Sequence, residues 1–263
     1  MTNIMFHQNI YQNWHFFYVD RSFFSSTAGR MSYLRREGKQ TLLLIPGFTA
    51  SAEIWKNLID YLDDCFDIIS VDLFGHGNSE SKILDSIDFD LKKLIGIQSH
   101  SILELLNFLG IKNYSVVGSS FGGLIAMSLS LSLFKPDKVV LIDSAGTTPK
   151  DDEKFVNGLR ALITDTSKTE SVLSFPLAKV SEMISREEIQ IDSSIIKEID
   201  ISVSAIWGSD DYIFDLKYGI ELSNILPRSE FHMIENANHT PFTTQPQTVA
   251  RIINEFVIES NHF

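Results

Sequence analysis

This chain of 263 residues encodes an α/β fold in which a mostly parallel central sheet carries helices on both faces. Three observations predict it. Short β-rich runs alternate with segments of helical apolar spacing along most of the sequence. Two of those runs, Thr41 to Ile45 and Lys138 to Asp143, are continuously apolar inside, as strands buried on both faces are. Between a strand and a helix stands Gly118-Ser119-Ser120-Phe121-Gly122, a G-x-S-x-G turn.

Taken in order, residues 15–20 and 31–35 read as two early antiparallel strands. The apolar strand Thr41–Ile45 ends at Pro46-Gly47. A helix over Ser51–Leu62 follows, with Ser51 as its cap and Glu53 in its first turn. Asp67–Leu73 is the next strand. Asp90–Leu109 repeats Leu91, Leu94, Ile95, Ile102, Leu105 and Leu106 at helical spacing and stops at Gly110. Tyr114 to Val117 leads into the serine turn, and Gly122 to Met127 opens the helix behind it. After the strand ending at Asp143 the alternation breaks: residues 147–200 are charged and lack strand-like runs. It resumes at Ile201–Gly208, with a helix near 215–226, a strand at Glu230–Ile234 and a last helix over Gln247–Ile258. The chain thus divides into a core domain, 1–146 and 201–263, and a helical insertion, 147–200. An insertion there hangs over the carboxyl ends of the strands, where open α/β sheets bind ligands, so a lid is expected.

Bulk numbers narrow the function. The composition, 44% hydrophobic and 21% charged, is that of a globular protein able to bury a full core. A net charge of −12 argues against nucleic acid and anionic membrane surfaces as partners. The single cysteine, Cys65, allows no internal disulfide and has no catalytic neighbours. No basic stretch leads into an apolar one near Met1, and no run of about 18 apolar residues exists, so cytoplasm is the expected location.

Register selects the serine. Ser120 has glycine two residues before and after it, whereas Ser119 has Val117 and Phe121 there. A serine on a sharp strand-to-helix turn is lifted clear of the sheet with the helix N-terminus behind it. Its hydroxyl is a weak nucleophile and needs a base oriented by a carboxylate. His7, His15 and His262 lie near the termini, His100 within a helix, His232 within a strand and His76 in a glycine-rich turn. His239 is the expected base, because it sits in a loop between a late strand and the last helix. For the acid, Asp210 and Asp211 follow the strand ending at Gly208, which gives the chain order Ser…Asp…His.

Four segments carry a resemblance to the α/β-hydrolase superfamily and its small lidded serine esterases. Leu44-Ile45-Pro46-Gly47-Phe48 resembles the family's turn after its third strand. Asp72 to Ser79 resembles its D-x-x-G-H-G-x-S loop, Gly118 to Gly122 its nucleophile elbow, and the acid and histidine loops follow its spacing. The resemblance implies a Ser120–His239–Asp211 triad, the family's acid standing three residues after the glycine. Asp143 is a third position for the acid, since some relatives place it there. The implied oxyanion hole consists of the backbone amides of Phe48 and Phe121. Pro46 departs from the histidine common in relatives and leaves the Phe48 amide in place. Trp55, Phe155 and Phe175 are candidates for an acyl pocket or for core packing.

His239-Thr240-Pro241-Phe242 with Pro246 is similar to pimeloyl-acyl-carrier-protein methyl ester esterases. The implied activity is hydrolysis of a small carboxylic ester or thioester through an acyl-enzyme, with no cofactor and no metal. A carbon–carbon bond hydrolase or a receptor-like binder of the same fold is the alternative. The implied partner is a small-molecule ester, in the methyl ester esterase branch presented on an acyl carrier protein. Contact with such a carrier needs basic residues on the lid, where Lys150, Lys154, Arg160, Lys168, Lys179 and Arg186 are mixed among acids; a monomer or homodimer is expected.

Overall fold

One eight-stranded sheet organises the chain in a computed structural model that describes residues 20–80, 82, 90–164 and 190–258. The strands are β1 (Asp20–Ser26), β2 (Gly29–Arg36), β3 (Gln40–Ile45), β4 (Phe66–Val71), β5 (Ser115–Ser119), β6 (Lys138–Ile142), β7 (Ser202–Gly208) and β8 (Ser229–Ile234). Their spatial order is β1-β2-β4-β3-β5-β6-β7-β8. β1 and β2 are antiparallel additions at one edge, and β3 to β8 all run parallel. Every parallel strand therefore ends on the same edge, and the loops leaving those ends share one rim.

Alternation along the buried strands sorts their side chains onto two faces. Leu43, Ile45, Ile69, Val71, Val116, Val139 and Leu141 face one apolar layer. That layer contains residues of α2 (Leu91–Phe108), α3 (Phe121–Ser130) and α6 (Leu216–Ile225). Leu42, Leu44, Ile68, Val117, Val140 and Ile142 face the other, with α1 (Lys56–Ile59), α7 (Pro241–Thr244) and α8 (Pro246–Ile258). Side chains wanted by both faces explain why these strands read as continuous apolar runs.

Several boundaries differ from the sequence expectation. The first strand starts at Asp20 and runs to Ser26, pairing in register with Arg35 to Gly29; residues 15–19 lie outside the described residues. The expected helix over 51–62 is a 3₁₀ turn, Ala52–Trp55, followed by the one-turn α1. Ser51 precedes it but makes no side-chain cap; its hydroxyl donates instead to Glu53 at 2.6 Å. The Ala52 amide is taken by Asp72 Oδ1 at 2.7 Å, which ties this turn to the loop after β4. Asp90 and Asp215 cap α2 and α6, accepting from the amides of Lys93 and Lys217 at 3.0 Å each.

Of the insertion, α4 (Glu153–Thr164) and α5 (Ser193–Ile196) are described. Phe175, Lys168, Lys179 and Arg186 lie outside the described residues. α4 is anchored from its first turn: Asp152 accepts from the Phe155 amide at 3.0 Å and from the Tyr218 hydroxyl at 2.7 Å. Among the described residues no helix is long and apolar enough to cross a membrane.

Candidate active site

The turn after β5 puts Ser120 in a conformation that side chains rarely adopt, φ 53° and ψ −118°. Strain of this kind costs about 1–3 kcal/mol and persists only where the surroundings enforce it. Here they do. The Ser120 amide donates to the Ile142 carbonyl at 3.0 Å, and its carbonyl accepts from the amides of Gly123 at 3.0 Å and Ala145 at 3.2 Å. A Cβ on Gly122 would stand 2.3 Å from the Ile45 carbonyl oxygen, and one on Gly118 would stand 2.4 Å from that of Gly122. Both flanking glycines are therefore required by close backbone approach, the physical content of the motif. Ser119 is buried at the end of β5, while Ser120 is partly exposed. The Ser120 hydroxyl has no hydrogen-bond partner among the described residues, and such contacts commonly tighten only with substrate bound.

The loop after β3 lies against this turn. A Cβ on Gly47 would be 3.0 Å from Ser120 Cβ and 3.6 Å from its Oγ. That places Phe48 next to the serine. Its ring meets Phe121 edge-on with centroids 5.6 Å apart and His76 at 5.0 Å. Phe121 begins α3, where a helix's first amides have no partner within the helix. Pro46 is buried, and its carbonyl backs Gly122: a Cβ there would come within 2.6 Å of it.

Asp211 and His239 come together from the rims of β7 and β8. His239 Nδ1 and Asp211 Oδ2 are 2.9 Å apart, and both side chains are buried. Asp211 Oδ1 accepts from the amides of Ile213 at 2.7 Å and Phe214 at 3.0 Å, which fixes the carboxylate in place. With Nδ1–H held by the carboxylate, Nε2 is the imidazole's acceptor. Asp210 points elsewhere: it is exposed and accepts from the Ser209 hydroxyl at 3.0 Å.

Gly208 makes the meeting possible. A Cβ there would stand 2.4 Å from the Asn238 carbonyl oxygen and 2.5 Å from that of Ala237. The loop after β8 thus folds back across the end of β7, carrying His239 toward the serine side of the sheet. The Asp210 amide donates to Ala237 at 2.8 Å and holds the crossing.

Aromatic rings enclose the imidazole. Phe214 lies 5.3 Å from it and Tyr212 6.2 Å, both edge-on, and Phe155 of α4 stacks on Phe214 at 5.5 Å. Phe155 therefore faces the site from the insertion. Trp55 does not line an acyl pocket: it is fully buried on the opposite face, packed on Phe242 at 4.3 Å. Sequence reasoning missed Gly158 as well. A Cβ there would come within 2.4 Å of the Tyr212 carbonyl oxygen, so glycine lets α4 rest on the acid loop.

The remaining histidines divide by position. His100 is exposed on α2, and His232 is paired with Glu230 at 2.9 Å. His7, His15 and His262 lie outside the described residues. His76 is buried, its Nδ1 3.2 Å from the Phe74 carbonyl. Burial lowers its pKa to about 4, against the opposing pull of that carbonyl and of Asp72. An unfolded histidine takes up its proton near 6.5 and the folded one does not. The stabilising contribution is thus complete above pH 6.5 and lost as pH falls toward 4, a swing of about 3 kcal/mol. Urea unfolding of His76→Gln at pH 7 and pH 4 is expected to show a weaker acid loss than the parent chain; an equal loss would remove His76 from the account.

Burial and Asp63 raise the Cys65 thiol to about 11, so it stays protonated and unreactive at neutral pH. Among the described residues no group of three or more His, Cys, Asp or Glu converges as a metal site would require.

The chain is similar to known proteins of this fold. A family model described as the α/β-hydrolase fold matches residues 40–167. A monoacylglycerol lipase of Bos taurus is 23% identical, over 86% of this chain and 78% of its own. A 2-hydroxy-6-oxononadienedioate/2-hydroxy-6-oxononatrienedioate hydrolase of Paraburkholderia phymatum is 24% identical, over 77% and 81%. Among solved structures, a meta-cleavage product hydrolase from Pseudomonas fluorescens superimposes with a TM-score of 0.76 at 19% identity, over 92% of this chain and 99% of its own.

Proposed function

For this chain, which belongs to the α/β-hydrolase superfamily, we propose a serine hydrolase that cleaves a small carboxylic ester through an acyl-enzyme. The observation that carries the reading is the buried Asp211–His239 pair on the same sheet rim as the strained, partly exposed Ser120. In this scheme Ser120 Oγ attacks the ester carbonyl as His239 Nε2 removes its proton. The carbonyl oxygen becomes an oxyanion, received by the amides of Phe48 and Phe121. His239 returns the proton to the departing alcohol, and the acyl group stays on Ser120. Water, activated by the same imidazole, then releases the acid and restores the serine. The insertion 147–200 serves as a lid, with Phe155 presenting an apolar wall beside Phe214 and His239.

A second reading, a hydrolase of carbon–carbon bonds in vinylogous diketones, is favoured by two of the relatives, which carry names of that chemistry. It uses the same residues. Turnover of p-nitrophenyl acetate, butyrate and octanoate, compared with a vinylogous diketone and an acyl-carrier-bound methyl ester, separates these substrates. The proposal expects at least one ester to be turned over. A chain that binds esters but hydrolyses none would be a binder, and the proposal would fall.

Asp211→Asn is expected to lower ester turnover by about 10⁴-fold, as loss of a triad carboxylate does, because the imidazole loses its tautomer and its charge partner. Asp210→Asn is expected to stay within about threefold, since that carboxylate is exposed and turned from His239. Steady-state kinetics of the two variants decide it; effects of the reverse order would move the acid to Asp210.

A further inference from the structure

Directly behind Asp211 lies a second buried carboxyl with no assigned task. Asp143 stands just past β6, fully buried, with φ at +42°. Its amide donates to the Ile206 carbonyl at 3.0 Å, and its Oδ1 accepts from the Gly208 amide at 2.9 Å. Oδ2 is buried and receives no N–H or hydroxyl donor. Asp211 is its ionisable neighbour and lies within hydrogen-bond contact of the Asp143 carboxyl.

We propose that Asp143 is a positioning residue: a neutral carboxylic acid whose Oδ2–H donates to the Asp211 carboxylate, so that the buried pair holds one negative charge. The role rests on Asp211 being the acid that orients His239. Two carboxylates in contact in a dry interior cannot both ionise, and the one with fewer donors keeps the proton. Asp211 has three donors: the amides of Ile213 and Phe214, and His239 Nδ1. Asp143 has one, from Gly208. Burial first, and the Asp211 charge second, hold the Asp143 pKa well above the usual carboxylate range.

The charged groups around it are few. The loop after β7 presents Asp211, and the loop after β8 presents His239 on the far side of Asp211. The turn after β5 brings Ser120, and Asp210 is directed outward. Among the described residues no lysine or arginine pairs with Asp143 or Asp211. The proton is therefore what satisfies Oδ2. It also engages the carboxylate that holds His239 Nδ1 and so positions the imidazole through it.

The test uses Asp143→Ala and Asp143→Asn in the full chain, with kcat/KM for an ester followed from pH 5 to 9. Alanine removes the donor, and turnover is expected to fall by about tenfold or more, with the acid limb moved to higher pH as the Asp211 charge acts on His239 undiminished by a second donor. Asparagine can donate from Nδ2 in the same place. It is expected to restore turnover to within about threefold, with the acid limb at the parent pH. If Asp143 were ionised in the parent, asparagine would delete a charge near His239 and shift that limb to lower pH; this shift overturns the proposal. Full activity in Asp143→Ala, or a loss in Asp143→Asn as large as in Asp143→Ala, overturns it too.

Thermal unfolding gives a second readout that does not depend on turnover. A raised folded pKa supplies its stability below the unfolded carboxylate pKa and loses it as pH rises. Asparagine does not titrate, so the Tm gain of Asp143→Asn over the parent is expected to be larger at pH 8 than at pH 5. An unchanged difference contradicts a protonated Asp143 even if the alanine variant does not fold. Asp211→Asn measured alongside separates the two claims. If it is fully active, the triad reading fails and Asp143's role with it. If it is crippled while Asp143→Ala is not, Asp143 alone is refuted.

Discussion

Replacing Ser120 with alanine is expected to abolish ester turnover, a loss on the order of 10⁵-fold or more, with the fold intact. The size follows from its place in the chemistry: the neighbouring hydroxyl, Ser119, is not placed to take its role. Ser119 is buried at the end of β5, and only Ser120 is turned out of the sheet by the positive φ of the elbow. The substitution removes one oxygen from a partly exposed position, and all the hydrogen bonds that enforce the turn are made by backbone atoms. Circular dichroism and Tm should therefore match the parent. Ser119→Ala is expected to keep its reactivity toward a fluorophosphonate. Parent-like hydrolysis by Ser120→Ala would show that the acyl group is accepted elsewhere.

His239→Ala is expected to cost a comparable factor, because nucleophile and base act as a unit and removing either disables both. The buried Asp211 carboxylate would then lose its imidazole partner, leaving a buried charge without a cation beside it, although the amides of Ile213 and Phe214 still donate to it. A lower Tm is therefore expected together with the lost turnover. His100→Ala and His232→Ala serve as controls, since each imidazole lies beside a glutamate, Glu104 or Glu230, and neither is hydrogen-bonded to Ser120, Asp211 or His239; they are expected within about twofold of the parent. Kinetics of the three variants with an ester substrate check this. A fully active His239→Ala would leave Ser120 without a base.

Much of the fold and of the elbow is legible in the sequence. Strands such as Leu42 to Ile45 and Val139 to Ile142 announce themselves because both faces of a parallel sheet demand apolar side chains. The elbow is legible because two glycines are needed where Gly118 and Gly122 meet neighbouring backbone. β1 was harder: as an edge strand with the composition Asp-Arg-Ser-Phe-Phe-Ser-Ser, it is specified by pairing with β2 more than by its own pattern. The 3₁₀ turn over Ala52–Trp55 departs from the expected helix because Asp72, distant in sequence, takes the first amide.

The partnership of Asp143 with Asp211 had no local signal at all. It arises because β6 and β7 are neighbours, and strand order is a tertiary fact. The crossing at Gly208 is similar: one glycine before two aspartates reads as loop chemistry until the 235–239 loop is seen lying over it. Phe214 reaches His239, and Phe155 reaches Phe214, through contacts likewise distant in sequence.

The central claim, that Ser120 is the residue to which the acyl group is transferred, is tested most directly by peptide mapping after brief treatment with a fluorophosphonate. One adduct per chain is expected, on the Ser120 side chain, formed in step with loss of ester turnover and formed far more slowly in His239→Ala. An adduct on Ser119 or on another residue, or complete labelling of Ser120 with turnover unchanged, would contradict it.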